Sequence, residues 1–319
     1  MKFSKMKTPP GFTHLHVLDH LLKPCHKSSP TLKMTYKSSE KSFNPQGSGE
    51  SSKGSKSLSS ILEQLQSLEL GDPKPSSKFI DTTESLAELL DSLHDLPTSP
   101  QPSIYVDMEG GSLSRNGTIS ILQMYISPRD EAALIDVHNL QNKAFSHASS
   151  KGWTLRKVLE DPSIMKVSFD VRNDSDALYR RFNVRLAGVH DLQLMELARR
   201  SSSKRYLSGL AKHIESHARL NGFELEKWKD AKFDGRKLFE PQLGGSYEVF
   251  NVRPLPDEVR EYCVLGVRSL PKLWRLYYLG LTGSWYQRAL EEAENYIRET
   301  QAPEYVSNGR SKVLGPVGW

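Results

Sequence analysis

The sequence contains only two cysteines in 319 residues, Cys25 and Cys263, and they lie far apart in the chain. Two cysteines cannot form a disulfide framework or a zinc site built from cysteine ligands. Their scarcity is typical of a reducing compartment. We therefore expect an intracellular protein that is cytoplasmic or nuclear.

Long apolar runs are also missing. No run approaches the roughly 18–20 residues that a membrane-spanning helix needs, so we predict no membrane contact. The amino terminus lacks the apolar segment of a secretory signal. It is basic and has no acidic residue before Asp19, so a mitochondrial presequence is the alternative location.

Arginine is absent from residues 1–75, which hold eleven lysines and six acidic residues. Eleven minus six equals the net charge of the whole chain, +5, so the remaining residues are balanced. Residues 37–60 are mostly Ser, Lys and Gly, a composition that buries too little apolar surface to fold. We predict a disordered tail over residues 1–76. A short helix over 57–70 either docks on a partner, which the sequence does not identify, or forms only transiently.

The central part of the chain, residues 77–300, predicts one α/β domain. An amphipathic helix precedes three strand-like runs with turn residues between the first two, which is typical of an antiparallel meander. Helices and strands then alternate up to Leu207, and the rest is largely helical. This order predicts a mixed sheet flanked by helices. We expect the last segment, residues 301–319, to be a flexible tail.

Two acidic residues, Asp107 and Glu109, stand at the end of the apolar run SIYV and just before two glycines. Residues two apart in a strand point to the same face, so the two carboxylates should converge. A converging pair suits a hard cation such as Mg²⁺ or Mn²⁺. Asp-x-Glu also occurs by chance, and two solvated acids at a strand end are the alternative.

A second acidic cluster, FDVRNDSD, begins a predicted helix. Acidic residues in a first helical turn interact favourably with the helix dipole. Alternatively, one of them completes a metal site with the first pair. The three aspartates concerned are Asp170, Asp174 and Asp176.

Six segments occur in an order that closely resembles the ribonuclease D-like 3′–5′ exonucleases of the DEDD superfamily. They are IYVDMEG, ISILQMY, ALIDVHNL, KVSFDVRNDSDALYRRFNVRL, VHDLQL and RPLPDEVREYCVLGVRSLPKLW. The fungal exonuclease-domain proteins look most similar. The resemblance implies a ribonuclease H-like fold. It also implies hydrolysis of phosphodiester bonds from a 3′ end with two divalent ions, Mg²⁺ or Mn²⁺.

The resemblance assigns roles to individual residues. It implies that Asp107, Glu109 and Asp174 bind metal and that Tyr262 orients the attacking water. Three other aspartates are not the expected ligands. Asp176 is the alternative to Asp174, Asp170 is expected to order its loop, and Asp191 is expected to be structural.

The fourth family acid is missing. It belongs to the third family motif, Tyr-x-x-x-Asp, which reads Tyr262-Cys-Val-Leu-Gly266 in this chain. Three carboxylates supply −3 against the +4 of two divalent ions, so one ion should bind weakly or only with substrate. We therefore expect weakened hydrolysis that increases in the Gly266→Asp variant. The alternative is an inactive exonuclease-fold module that binds nucleic acid or protein.

The expected partner is RNA or DNA with a 3′ end, and no motif distinguishes the two. Arg253 is a candidate phosphate contact. Five aromatic residues before it are candidates for base stacking, with core packing as the alternative: Trp228, Phe233, Phe239, Tyr247 and Phe250.

Overall fold

The computed structural model describes residues 76–96, 101–218 and 220–319. The predicted disordered tail and its helix over 57–70 lie outside the described residues, except for residue 76. That residue begins the first strand.

A six-stranded mixed sheet forms the centre of the domain, in the order β1-β4-β3-β2-β5-β6. The antiparallel pairs β2–β3 and β3–β4 form the predicted meander, and the pairs β1–β4, β2–β5 and β5–β6 are parallel. The predicted α/β fold is therefore confirmed. The strands are β1 (Ser76–Ile80), β2 (Ile104–Glu109), β3 (Ile121–Ile126), β4 (Glu131–Asp136), β5 (Lys166–Ser168) and β6 (Val189–Asp191).

Helices cover the sheet in the described residues. The third-motif helix, α9, packs against β2, β3 and β4, whereas α11 packs against β6, α5 and α6. The helices are α1 (Thr83–Leu93), α2 (Val137–Leu140), α3 (Lys143–Ser146), α4 (Leu155–Glu160), α5 (Arg172–Phe182), α6 (Leu192–Arg199), α7 (Leu210–His217), α8 (Gly222–Phe239), α9 (Asp257–Arg268), α10 (Leu270–Gly280) and α11 (Gly283–Gln301).

Local sequence explains where these helices begin and which face they bury. In α1, Thr82 and Ser85 form a reciprocal capping box, which satisfies backbone donors at the helix start. Its leucines recur at helical spacing and are all buried. None of the helices in the described part of the chain is long and apolar enough to cross a bilayer.

Helices α8 and α9 approach each other closely at Gly235. A Cβ atom on this residue would lie 2.5 Å from Cδ2 of Tyr262, nearer than two carbon atoms can pack. Glycine therefore allows α8 to lie directly against the ring of Tyr262, and the adjacent turn of α8 reaches the face of α9 that carries the third family motif.

The prediction of a flexible tail over residues 301–319 is wrong. Arg115 donates to the main-chain carbonyls of Thr300, Ala302 and Pro303 at 2.8–2.9 Å. Further along, Ser307 donates to Asp176. The arginine comes from a distant part of the chain and its acceptors are backbone carbonyls. The amino-acid composition of the segment therefore gives no sign of these contacts. The segment is held against α5, the helix that carries the second acidic cluster.

The segment is held by further contacts as well. Arg172 donates to the carbonyl of Lys312 at 3.0 Å, and the Nζ of Lys312 donates to Asn173. Trp319 packs edge-on against Trp285. The end of the chain is therefore part of the domain.

We predict that Arg115→Ala lowers the free energy of unfolding by about 3–5 kcal/mol, because it leaves a buried carboxylate without its cation. Arg115 Nε lies 2.8 Å from Asp176 Oδ1, whose side chain is fully buried. Chemical denaturation would measure the loss.

The matched control is Lys78→Ala, which removes an exposed cation 2.8 Å from Glu131. It should cost less than about 1 kcal/mol. Equal losses in the two variants would show that the buried pair does not hold the C-terminal segment.

Candidate active site

Asp107 and Glu109 lie at the end of β2 on one face of the strand, as the alternation predicts. Both are partly buried. The chain turns immediately afterwards, because a Cβ on Gly110 would lie 2.2 Å from the carbonyl oxygen of Thr118. Only glycine allows this close approach. Across the sheet, Asp107 is opposite Gln123 of β3.

Asp174 lies in the first turn of α5 and is almost fully buried. Its Oδ2 atom accepts from Ser168 Oγ at 3.5 Å. Its Oδ1 atom has no hydrogen-bond partner among the residues that the structure describes. Burial and then the charge of Asp107 are the largest causes that raise the pKa of Asp174 well above its usual value. Asp174 therefore belongs to the same electrostatic cluster as Asp107 and Glu109.

Tyr262, on α9, is buried next to Glu109. A hydrogen bond from Tyr262 lowers the pKa of Glu109, but burial and the nearby charge of Asp107 are larger and raise it. Burial likewise raises the pKa of Asp107. The tyrosine is thus hydrogen-bonded to Glu109 of the acid pair.

Gly266 lies one turn after Tyr262 and faces the same pocket. The point that a Cβ on Gly266 would occupy is 3.1 Å from Asp107 Oδ2. Gln123 Oε1 is 4.0 Å from the same point. Both side-chain polar atoms of Gln123 are buried and without a partner in the described part of the chain. The third-motif position is therefore correctly placed, but it contributes no carboxylate.

Lys232, on α8, is a pocket residue that the sequence reasoning missed. Its Nζ lies 3.6 Å from the Cβ point of Gly266 and 3.7 Å from the centre of the Tyr262 ring. It donates to the carbonyl of Tyr262 at 3.3 Å. Burial lowers the pKa of Lys232, whereas Glu109 and Asp107 raise it by a smaller amount. The available sequence signal was Gly235, one helical turn away on the same face.

The other aspartates of the second cluster have structural contacts. Asp176 is paired with Arg115, so it is not available as the alternative to Asp174. Asp170 is paired with Arg172 at 2.5 Å and orders its loop, as expected.

Asp191 also has the structural contacts that were expected of it. It accepts from the backbone N–H groups of Asp170 and Val171 at 3.2 and 2.9 Å. It also caps the start of α6. The turn that leads into α5 is thereby tied to the end of β6.

The prediction that Arg253 contacts phosphate is corrected by its surroundings. Its Nε and Nη2 atoms donate to the fully buried carboxylate of Asp136 at 2.6 and 2.5 Å. Its Nη1 donates to the carbonyls of Phe250 and Val252. The guanidinium group fastens the loop before α9 to the end of β4.

The pocket residues do not fit the two divalent ions that the resemblance implies. Position 266 supplies no side-chain oxygen, and the cation beside it is the ammonium of Lys232. Over the described ranges, no group of three or more His, Cys, Asp or Glu side chains has an arrangement that could hold a metal ion. The acids are present, but the set is not that of a two-metal centre.

Comparison with known proteins places the fold. A family model described as 3'-5' exonuclease matches residues 77–274. The structure of RNase D from Trypanosoma brucei is similar with a TM-score of 0.58 and 25% identity, over 76% of this chain and 79% of that one. The same protein in complex with RNA U12 matches with a TM-score of 0.57 and 23% identity, over 73% of each chain.

A known protein is also similar in sequence, over a shorter stretch of the chain. The piRNA biogenesis protein EXD1 of Bombyx mori is 30% identical over 125 residues, which is 38% of this chain and 36% of that protein. The matched stretch is thus little more than a third of the relative's length. The family model, in contrast, spans more than half of the chain and includes all three carboxylates and Tyr262. The chain belongs to the 3′–5′ exonuclease family.

Proposed function

We propose that this chain binds the 3′ end of single-stranded nucleic acid in its exonuclease pocket and that its hydrolytic step is severely impaired. The single observation that carries the proposal is Gly266. It faces Asp107 Oδ2 at the third-motif position and has no side chain to offer. Hydrolysis with two ions requires a ligand set that neutralises and positions both of them.

Retained binding is supported by the openness and charge of the pocket. Asp107, Glu109 and Lys232 are all partly exposed, so a strand end can reach them. Three carboxylates alone would repel a phosphodiester, because like charges at short range repel strongly in a poorly solvated pocket. The ammonium of Lys232 reduces this repulsion.

Phe233, the residue after Lys232 in α8, is an exposed aromatic side chain that offers a stacking surface. Phe233 is 49% exposed, and Lys237 Nζ lies 4.4 Å from the centre of its ring. An aromatic ring with an adjacent cation is a sequence-tolerant platform for bases. Of the other aromatic candidates, Trp228, Phe239 and Phe250 are buried in the core and Tyr247 is partly buried. The solved relative that carries RNA U12 makes RNA the first substrate to test.

We expect 5′-labelled single-stranded RNA and DNA to be shortened from the 3′ end only slowly with Mg²⁺ or Mn²⁺. The wild type should exceed Asp107→Ala by no more than about tenfold. One stabilising group in an intact catalytic site is worth about 10²–10³ in rate, so a small ratio indicates a site that is already impaired. Asp230→Ala, an exposed acid on α8, is the control and should equal the wild type. A wild-type rate a thousandfold above Asp107→Ala would contradict impaired hydrolysis.

Binding is measured separately by fluorescence anisotropy. We expect Phe233→Ala to weaken the binding of single strands about tenfold, which corresponds to the loss of one stacked base. Phe223→Ala is the matched control, because Phe223 lies on the same helix and is 79% exposed. Equal effects would contradict a role for Phe233. No binding of RNA or DNA by the wild type would overturn the proposal in favour of a protein-binding module.

A further inference from the structure

We propose that the ammonium group of Lys232 is a built-in counter-ion for Asp107 and Glu109 and takes the place of divalent metal in this chain. The proposal follows from the disagreement between the two-metal chemistry of the implied site and the side chains that are present. It concerns the same pocket as the function proposed above and rests on that function. Its test needs no nucleic acid, so the two can fail independently.

The geometry brings one cation to the position of the missing acid. The point that a Cβ on Gly266 would occupy lies 3.6 Å from Lys232 Nζ and 3.1 Å from Asp107 Oδ2. Both the ammonium and the carboxylate therefore lie within contact distance of the point where the side chain of residue 266 would begin. Because the glycine has no side chain, nothing on residue 266 itself separates the two groups.

Helix packing fixes the ammonium in this place. Gly235 lets α8 lie against Tyr262, and Lys232 is one turn away on the same face of α8. Its Nζ rests 3.7 Å from the centre of the Tyr262 ring and donates to the carbonyl of the same residue at 3.3 Å. A cation over an aromatic ring is attracted by the negative face of the ring. Two contacts to one residue thus hold the charge in the turn that contains Gly266.

Charge counting shows why this cation competes with metal. Asp107, Glu109 and Asp174 contribute −3 when ionised. Lys232 contributes +1 beside Asp107 and Glu109, and the charge of Lys312 acts on Asp174. A divalent ion that entered beside the ammonium would be repelled at short range, because screening is weak in a partly buried pocket. Metal binding should therefore be weak until Lys232 is removed.

The same geometry changes the expectation for Gly266→Asp. A new carboxylate at position 266 would start from a Cβ only 3.6 Å from Lys232 Nζ. It would pair with the ammonium, so the single substitution should restore little metal binding. The sequence-based expectation of a gain from Gly266→Asp alone therefore becomes an expectation for the variant that also lacks Lys232.

The test is a double-mutant cycle read by Mn²⁺ binding. Isothermal titration calorimetry and the electron paramagnetic resonance signal of free Mn²⁺ would be recorded for the wild type, Gly266→Asp, Lys232→Met and the double variant. We expect the double variant to bind Mn²⁺ about tenfold or more tightly than the product of the two single effects predicts. Additive effects would overturn the proposal, and so would a wild type that binds as tightly as the double variant.

A second measurement uses stability and protects the test against misfolding. In EDTA, Lys232→Met should lower the melting temperature by about 4 °C or more, because the carboxylates lose their cation. Added Mn²⁺ should recover most of this loss in the variant and change the wild type little. If Mn²⁺ fails to recover the loss, the lysine is only a packing residue and the proposal is wrong.

Two variants complete the design. Lys227→Met removes an exposed lysine of the same helix and should match the wild type in both measurements. Lys232→Arg keeps the charge and should keep the weak Mn²⁺ binding of the wild type. An effect of Lys227→Met as large as that of Lys232→Met would show that the charge of the pocket is not decisive.

Discussion

Three carboxylates share one poorly solvated pocket, and burial makes each of them harder to ionise. Burial is the largest cause of the raised pKa values of Asp107, Glu109 and Asp174, and the neighbouring negative charges of the cluster add to it for Glu109 and Asp174. Such a cluster needs a positive charge. In this chain the positive charge closest to the third-motif position is Lys232, and much of the surrounding structure serves to hold the acids and this lysine together.

The scaffold brings these groups from four different parts of the chain. β2 presents two acids, and α5 presents the third. α9 packs on the meander and brings Tyr262 and Gly266 to the same place, and α8 adds the lysine. The C-terminal segment secures α5 through Asp176 and the backbone carbonyls that receive Arg115. Because α5 also carries Asp174, the contacts of the C-terminal segment help to hold a pocket carboxylate in place.

Sequence reasoning was strongest where a pattern is local. Strand alternation placed Asp107 and Glu109 on one face, and helix spacing placed Gly266 one turn after Tyr262. The order of strands and helices was sufficient to predict the mixed sheet. These features depend on neighbours within a few residues, which the sequence displays directly.

Sequence reasoning failed where the decisive contact joins distant segments. Lys232 lies 34 positions before Gly266 in the numbering of the chain, and Gly235 alone among its near neighbours hints at the close helix packing that brings its ammonium into the pocket. The sequence around Arg253 suggests a phosphate contact, but in the structure its guanidinium pairs with the buried carboxylate of Asp136. The C-terminal segment has the composition of a tail, but long-range hydrogen bonds fix it. Only tertiary structure reveals such pairings.

The most direct measurement is a crystal structure of the wild type grown with Mn²⁺, with data collected for the anomalous signal of manganese. We expect that no pair of ions is bound and that the Nζ of Lys232 remains against Tyr262 beside Gly266. Two anomalous peaks about 3.5–4 Å apart, coordinated by Asp107, Glu109 and Asp174 with the lysine displaced, would contradict it.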